Sequence, residues 1–213
     1  MTGEQLKKVC TTLSVDRAAK IADRISFCSE GYKFNTNDCL QEFVAELAHE
    51  SGEFTIFAEN MNYSTPAILV ANWPRHFKNI EFAKDYCHNP QKLANYIYGV
   101  TSIAKDLGNI KPEDGYAFRG SGWMQLTGRY SATEYQKYVG MDTPEHVMDL
   151  IRTDDYWACD AACWEFAINK KLLPLTLKNT EEAFNTISRR INGGSIGKAE
   201  RLKYFNLAQK YIT

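Results

Sequence analysis

Hydrophobic positions along this chain recur mainly at helical spacing, and few stretches alternate with period two. "SVDRAAKIADRISFCSEG" places Ser14 as an N-cap, apolar residues at 18, 21, 22, 25 and 28, and a stop at Gly31. "NDCLQEFVAELAHESG" predicts a helix that starts at Asn37 and stops near Gly52. "NPQKLANYIYG" has Asn89 as cap, Pro90 at the first helical position and Gly99 beyond the end. "TPEHVMDLI" repeats the cap-then-proline signal at Thr143 and Pro144. "TDDYWACDAACWEFAINKK", "TEEAFNTISRRINGG" and "KAERLKYFNLAQKYI" continue the series. Residues 54–63 and 116–127 are the exceptions, each readable as a small strand or an irregular loop. The pattern predicts a mainly α domain of roughly eight to ten helices.

Length and composition narrow this reading. The 213 residues suffice for one sizeable core, and no proline- or glycine-rich linker, repeat or low-complexity tract divides them. Residues 1–213 are therefore read as a single domain. A net charge of −1 argues against a dedicated nucleic-acid binder. No apolar run approaches a membrane span, and the start "MTGEQLKKVCTTLSVDRAAK" lacks the apolar core of a secretory signal. The six cysteines are then expected as thiols. Cys159 and Cys163 stand four apart in a helix with no second ligand pair nearby, so they read as small apolar residues rather than metal ligands.

The charge is unevenly distributed. Residues 34–74 carry six acids and no lysine or arginine. Residues 189–210 carry Arg189, Arg190, Lys198, Arg201, Lys203 and Lys210 against only Glu200. That basic end is either a solvated helix face or a surface for an anionic polymer. On a wheel of 100° per residue with Leu40 at zero, Phe43, Val44, Leu47 and Ala48 form one apolar stripe. Glu50 falls at its edge, at about −80°, whereas Glu42, Glu46 and Glu53 fall between about −120° and −160°, towards solvent. Glu50 is thus expected to be half buried at the helix's C-terminal end. Burial, the negative end of the helix dipole and the lack of a neighbouring cation would all favour its protonated form. A protonated carboxyl working with an ionised one is the pairing glycoside hydrolysis needs. Glu59, nine residues on in the polar loop "AENMNYS", is the natural ionised partner. Glu53 is the rival, one turn from Glu50 but pointing away. The alternative is that all are surface acids.

His49 begins "HESGE", like a metalloprotease HExxH helix, but Glu53 stands where the second histidine belongs. His76, His88 and His146 show no ligand spacing, so no metal is expected and His49 reads as structural, bonding a neighbouring backbone.

Three segments carry a resemblance to a known family. They are "AHESGEF…AENMNYS", "GYAFRGSGWMQLTGR" and "ISRRINGG", with "LANYIYG" between them. Together they resemble the glycoside hydrolase family 19 enzymes, in particular the lysozyme-like phage endolysins with their "YRGRGxIQLTGR" and Arg-x-Asn-Gly-Gly motifs. The resemblance spans roughly residues 35 to 210, and the order of the motifs is more specific than any one alone. Two positions depart from the pattern. Glu53 stands where the endolysins usually have Gly in "HESGGF", and Ser121 where they usually have Arg in "RGRG".

The resemblance implies a lysozyme-like, two-lobed helical domain with a substrate cleft, and no cofactor. Glu50 matches the general acid, Glu59 the general base and Thr127 the group that holds the attacking water. Gln125 and Asn192 match cleft-lining positions, and Arg189 or Arg190 would orient the base or the substrate. Trp123, Tyr63 and Tyr130 read either as sugar-stacking faces or as core aromatics. Trp73 shares the ambiguity, with core packing favoured. Asn192 also reads as a helix end before Gly193 and Gly194.

The implied reaction is inverting hydrolysis of β-1,4 bonds in peptidoglycan strands, which needs carboxyls about 6.5–9.5 Å apart. A monomer made in the host cytoplasm and acting in the periplasm is expected, released by a holin-like pore and not inserted in the membrane. A family 19 chitinase, a secreted antibacterial toxin, a lytic transglycosylase with one essential glutamate and a non-catalytic wall-binding module are the alternatives. Glu50→Gln is expected to lose about 10²–10⁴-fold in glycan cleavage, the scale of general acid help, while the fold survives. Normal lysis by that variant would remove the assignment.

Overall fold

A computed structural model of the protein describes residues 1–99, 101–194 and 197–213. It is mainly helical. In chain order the first helices are α1 (Gly3–Val9), α2 (Val15–Gly31), α3 (Asn37–Glu50), α4 (Pro66–Asn72), α5 (Ile80–Lys84), α6 (Pro90–Ala94) and α7 (Ser102–Asp106). There follow α8 (Asp114–Ala117), α9 (Arg129–Val139), α10 (Pro144–Thr153), α11 (Asp155–Trp164), α12 (Leu173–Thr176), α13 (Glu181–Asn192) and α14 (Lys198–Tyr211). α6 and α11 run on as π-helical turns at Asn95–Gly99 and Glu165–Asn169. Strand structure among the described residues is confined to isolated bridges, Ala58 with Ser121 and Ser121 with Leu126, inside the two stretches expected to be strand or loop. No described helix is long and apolar enough to cross a membrane.

Side-chain caps mark several of the helix starts. Ser14 accepts from Arg17 N at 3.1 Å, Asn89 from Lys92 N at 3.0 Å and Thr180 from Ala183 N at 3.2 Å. Each satisfies a donor that the first helical turn leaves free. The fourteen segments among the described residues exceed the eight to ten expected, because α5, α7, α8 and α12 have only four or five residues. A single turn is too short to show a hydrophobic period.

The chain forms two compact units. The first comprises Met1–Phe57, Gly122–Gln125 and Leu150–Thr213, and the second Ala58–Ser121 and Leu126–Asp149. In the first unit α3 packs against α14 and α12, and α2 against α1 and α11. Phe43 sits edge-on to Phe34 at 4.8 Å and to Phe166 at 5.3 Å, and Phe184 stacks on Phe205 at 4.3 Å. Each such buried ring contributes about 1.5–3 kcal/mol. The second unit has its own core of Met61, Leu69, Phe77, Leu93 and Ile97, against which Tyr63, Trp73 and Tyr98 are partly buried.

The wheel is right about Glu50 and wrong about its neighbours. Glu42 and Glu46 are fully buried and Glu53 nearly so, while Glu50 keeps 17% of its side chain exposed. The error lies in assuming a solvent face: α3 packs against α14 and α12, and its middle turns are buried on every side. Glu53 is not on that helix at all. α3 ends at Glu50, and Gly52, Glu53 and Phe54 follow with φ of 55°, 56° and 63°, a left-handed turn.

For Glu53 and Phe54 that conformation costs about 1–2 kcal/mol each. Three hydrogen bonds hold Glu53: from Thr12 N at 2.8 Å, Thr12 Oγ1 at 2.5 Å and Tyr204 OH at 3.0 Å. Phe54 is fully buried, edge-on to Trp123 at 5.0 Å. The φ of Glu53 also explains why glycine suits this position in the endolysin pattern.

Ser51 ties the turn to the helix. Its Oγ donates to Leu47 O at 2.6 Å and accepts from Phe54 N at 2.7 Å, all of it buried. Ser51→Ala leaves that N–H unpaired and is expected to cost about 1–3 kcal/mol, read as a lower urea midpoint at unchanged slope. An unchanged midpoint would show that the turn does not depend on the hydroxyl.

Candidate functional site

In the first unit the site is built on the C-terminal end of α3 and the facing turns of α13 and α14. Arg201 of α14 is buried and bridges two carboxylates one turn apart on α3. Its Nη1 donates to Glu46 Oε2 and its Nη2 to Glu50 Oε1. Ser188 of α13 donates to the other Glu46 oxygen. The expected absence of a cation beside Glu50 is therefore overturned. The cation comes from a residue 151 positions away in the chain, where local sequence cannot show it. Arg201 also leaves the set of basic residues free to meet an anionic polymer, while Lys198, Lys203 and Lys210 remain exposed.

Glu46 and Glu42 share a physical situation. Burial first, against the favourable Arg201 and Ser188, pushes Glu46 up to about 7. Burial, then the negative charges of Glu46 and Asp38, pushes Glu42 up to about 8. Both Glu42 carboxyl oxygens are buried without a hydrogen-bond partner, which suits a neutral acid better than an anion.

His49 does not bond a backbone group as expected. Its Nδ1 faces Glu200 Oε2 at 3.2 Å, without the alignment of a hydrogen bond. Burial and then the charge of Arg201 hold it below the ordinary histidine range.

Beside this array, α13, α14 and the turn after α13 enclose a cavity of about 470 Å³ whose lining includes Ser188, Arg189, Asn192, Lys198 and Arg201. Arg189 and Asn192 thus stand together at the cavity, next to the guanidinium that holds Glu50. Arg190 is exposed and is not among the lining residues. Asn192 is the last residue of α13. Its Oδ1 accepts from Gly194 N at 2.7 Å, and Gly193 at φ 72° caps the helix through Arg189 O, so the helix-end role holds.

Trp123 is corrected. It is fully buried, edge-on to Phe54 and 6.2 Å from Phe57, so neither face is open to a sugar. The glycines around it direct the ring inward: Gly122 donates to Phe57 O at 2.8 Å with φ of 72°. Gln125 adopts φ of 51° and its Nε2 donates to Gly122 O at 2.9 Å, so its amide supports the loop.

In the second unit Glu59 is held on both carboxyl oxygens. Tyr98 OH donates to Oε1 at 2.8 Å and Gly120 N to Oε2 at 3.4 Å, while Glu59 N donates to Gly120 O at 2.8 Å. Tyr98 lies in the π-helical turn after α6, a helix type often found at functional sites. Burial, then the charge of Glu59, drives its phenol well above the ordinary range, so it remains a donor.

Buried Asn109 accepts from Arg129 N at 2.9 Å and donates to Tyr98 O at 2.9 Å. Arg129 in turn grips Asp114 through Nε at 2.8 Å and Nη2 at 2.6 Å. Thr127 is half-buried just before α9, which begins after Gly128 at φ 89°. A side chain at Gly128 would meet Leu107 O at 2.6 Å. Tyr130, 63% exposed, keeps an open face. Tyr63 is half-buried, edge-on to Trp73 at 5.2 Å, and feels the charge of Glu59.

Sequence reasoning missed Arg201, Glu46, Ser188 and Tyr98. The first three meet only through long-range packing, and nothing in "LANYIYG" marks the Tyr98 hydroxyl. The six cysteines are free, and burial pushes the thiols of Cys159 and Cys163 up.

No family model matches the chain. Among curated proteins it is 36% identical over 171 residues to a Haemophilus influenzae protein named "Glycosyl hydrolase family 19 domain-containing protein", covering 76% of this chain and 74% of that one.

The raised Glu42 sets a pH dependence of stability. The folded state binds its proton more tightly than the unfolded chain, whose ordinary value is 4.5. The contribution is complete below that value and is lost as pH rises through about 8. The unfolding free energy is therefore expected to fall over this window, and Glu42→Gln to flatten the fall. Parallel curves for parent and variant would show that Glu42 does not titrate there.

Proposed function

The chain belongs to glycosyl hydrolase family 19 and is a glycoside hydrolase, and we propose that it cleaves the β-1,4 MurNAc–GlcNAc bonds of bacterial peptidoglycan as an endolysin. In this reading Glu50 protonates the leaving glycosidic oxygen. Glu59 removes a proton from a water held by Thr127, and that water attacks the opposite face of the sugar. The anomeric carbon inverts, and no cofactor takes part.

The observation that carries the reading is the placement of Glu50. Its half-buried carboxyl ends α3 and is fixed by Arg201, which lines the cavity shared with Arg189 and Asn192. Tyr98 and Gly120 N fix the Glu59 carboxylate, as a base that must orient a water requires. Exposed Tyr130 and half-buried Tyr63 are proposed to stack on or bond the sugars, with Gln125 as a further contact. The motif order and the Glu50–Glu59 spacing resemble endolysins, which favours peptidoglycan, action in the periplasm and release through a membrane pore.

The deciding experiment is mass spectrometry of soluble fragments from purified Gram-negative peptidoglycan. Fragments with free reducing MurNAc ends are expected from the parent and not from Glu50→Gln or Glu59→Gln. No fragments from peptidoglycan but oligomers from chitin would replace the substrate and leave the carboxyl roles. Full activity of Glu59→Gln would remove the inverting mechanism.

A further inference from the structure

The segment "GYAFRGS", residues 115–121, carries a single cation, Arg119. Ser121 is buried, and its Oγ donates to Arg119 O at 2.7 Å. Gly120 between them makes two bonds with Glu59: its carbonyl accepts from Glu59 N, and its N–H donates to the Glu59 carboxyl. Arg119 therefore stands one residue from the backbone that fixes this carboxylate. Its guanidinium lies over the Tyr116 ring, 3.9 Å from the centroid, and its Nη1 donates to Tyr116 O at 2.7 Å. Tyr116 is anchored in turn. Its N–H donates to Asn95 Oδ1 at 2.8 Å, at the start of the π-helical turn that carries Tyr98.

What this arginine lacks is an acid. Arg17, Arg129 and Arg201 each grip a carboxylate of the protein. Arg119 pairs with none among the described residues, its remaining nitrogens make no hydrogen bond there, and the residue is only half-buried. A guanidinium keeps its charge at any working pH, and its planar fork matches a carboxylate by two parallel bonds. The stack on Tyr116 already restricts the side chain, so less freedom is lost when a ligand binds. The spare donors thus suit a carboxylate from outside the protein, close in the chain to the backbone that holds the proposed base. MurNAc differs from GlcNAc by a lactyl ether. Its carboxyl is either free or continues into a stem peptide with carboxylates of its own, whereas a GlcNAc polymer carries none.

We propose that Arg119 is a specificity-determining residue: its free donors pair with a carboxylate on the lactyl or peptide substituent of the glycan and so select peptidoglycan over chitin. The inference rests on the reading of peptidoglycan as the substrate and of Glu59 as the base. It gives Arg119 no part in breaking the bond.

The test compares initial rates at low substrate on purified peptidoglycan and on the same material with its carboxyls converted to amides by carbodiimide and ammonia. The parent is expected to favour the native form by about tenfold or more, the scale of a hydrogen bond to a charged group. In Arg119→Gln that preference is expected to fall to near one. Arg119→Lys keeps the charge but loses the fork. It is expected to lie between the two, and it supplies the readout if Arg119→Gln does not fold. Glycan strands stripped of stem peptides identify the source: a preference that persists on them places the carboxylate on the lactyl group, and one that vanishes places it on the peptide.

The parent's preference retained in both variants, or an equal loss on native and amidated material, would overturn the proposal. The second result would make Arg119 a support for its loop. A parent that cleaves chitin and leaves both forms of peptidoglycan intact overturns the substrate reading as well. A parent that cleaves peptidoglycan with no preference dependent on Arg119 overturns this inference alone.

Discussion

The first unit depends on how a helix that is acidic on one side can be buried on that side. α3 is buried along most of its length, and Arg201 of α14 meets two of its acids. One arginine resolves most of the conflict. Arg201 ties α14 to two turns of α3 at once, and Ser188 brings α13 to the same point. Removing one partner of such a pair costs about 3–5 kcal/mol, because the other charge is left buried. The contact that orients Glu50 is therefore also one that docks three helices. Site geometry and fold stability here are the same set of bonds.

The second unit fixes Glu59 by a different means. Arg129, Asp114 and Asn109 form a chain of hydrogen bonds from the start of α9 to the backbone carbonyl of Tyr98, whose hydroxyl holds the carboxylate. None of these groups needs to titrate. The two carboxylates thus differ in kind. Glu50 shares one guanidinium with a second, buried carboxyl, whereas Glu59 accepts from a phenol and a backbone N–H that stay protonated.

What the sequence discloses follows from the range of the forces involved. Caps and hydrophobic period act within a turn or two, so Ser14, Asn89 and Thr180 announce their helices and the mainly α class is legible. The half-buried position of Glu50 was legible because its neighbours on α3 determine it. The burial of Glu42 and Glu46 was not, since a wheel shows where apolar residues lie and not whether another helix covers the rest. Arg201 looked like one more cation in a basic segment, and only packing distinguishes it from Lys203 two residues on. Trp123 was ambiguous for the same reason: a glycine-rich loop can present a ring or bury it, and Phe54 and Phe57 decide for burial.

The left-handed turn after α3 has a consequence for how this chain can change. Glu53 occupies a backbone conformation suited to glycine, and Thr12 and Tyr204 hold its side chain there. Those three positions, far apart in the chain, are contingent on one another. With glycine at 53 the turn would need neither Thr12 nor Tyr204 as a donor, and both would be free to drift. With glutamate at 53 each is constrained by the others, so the order in which such substitutions accumulate matters. A single step away from Glu53, Thr12 or Tyr204 meets resistance that the same step would not meet on a glycine background.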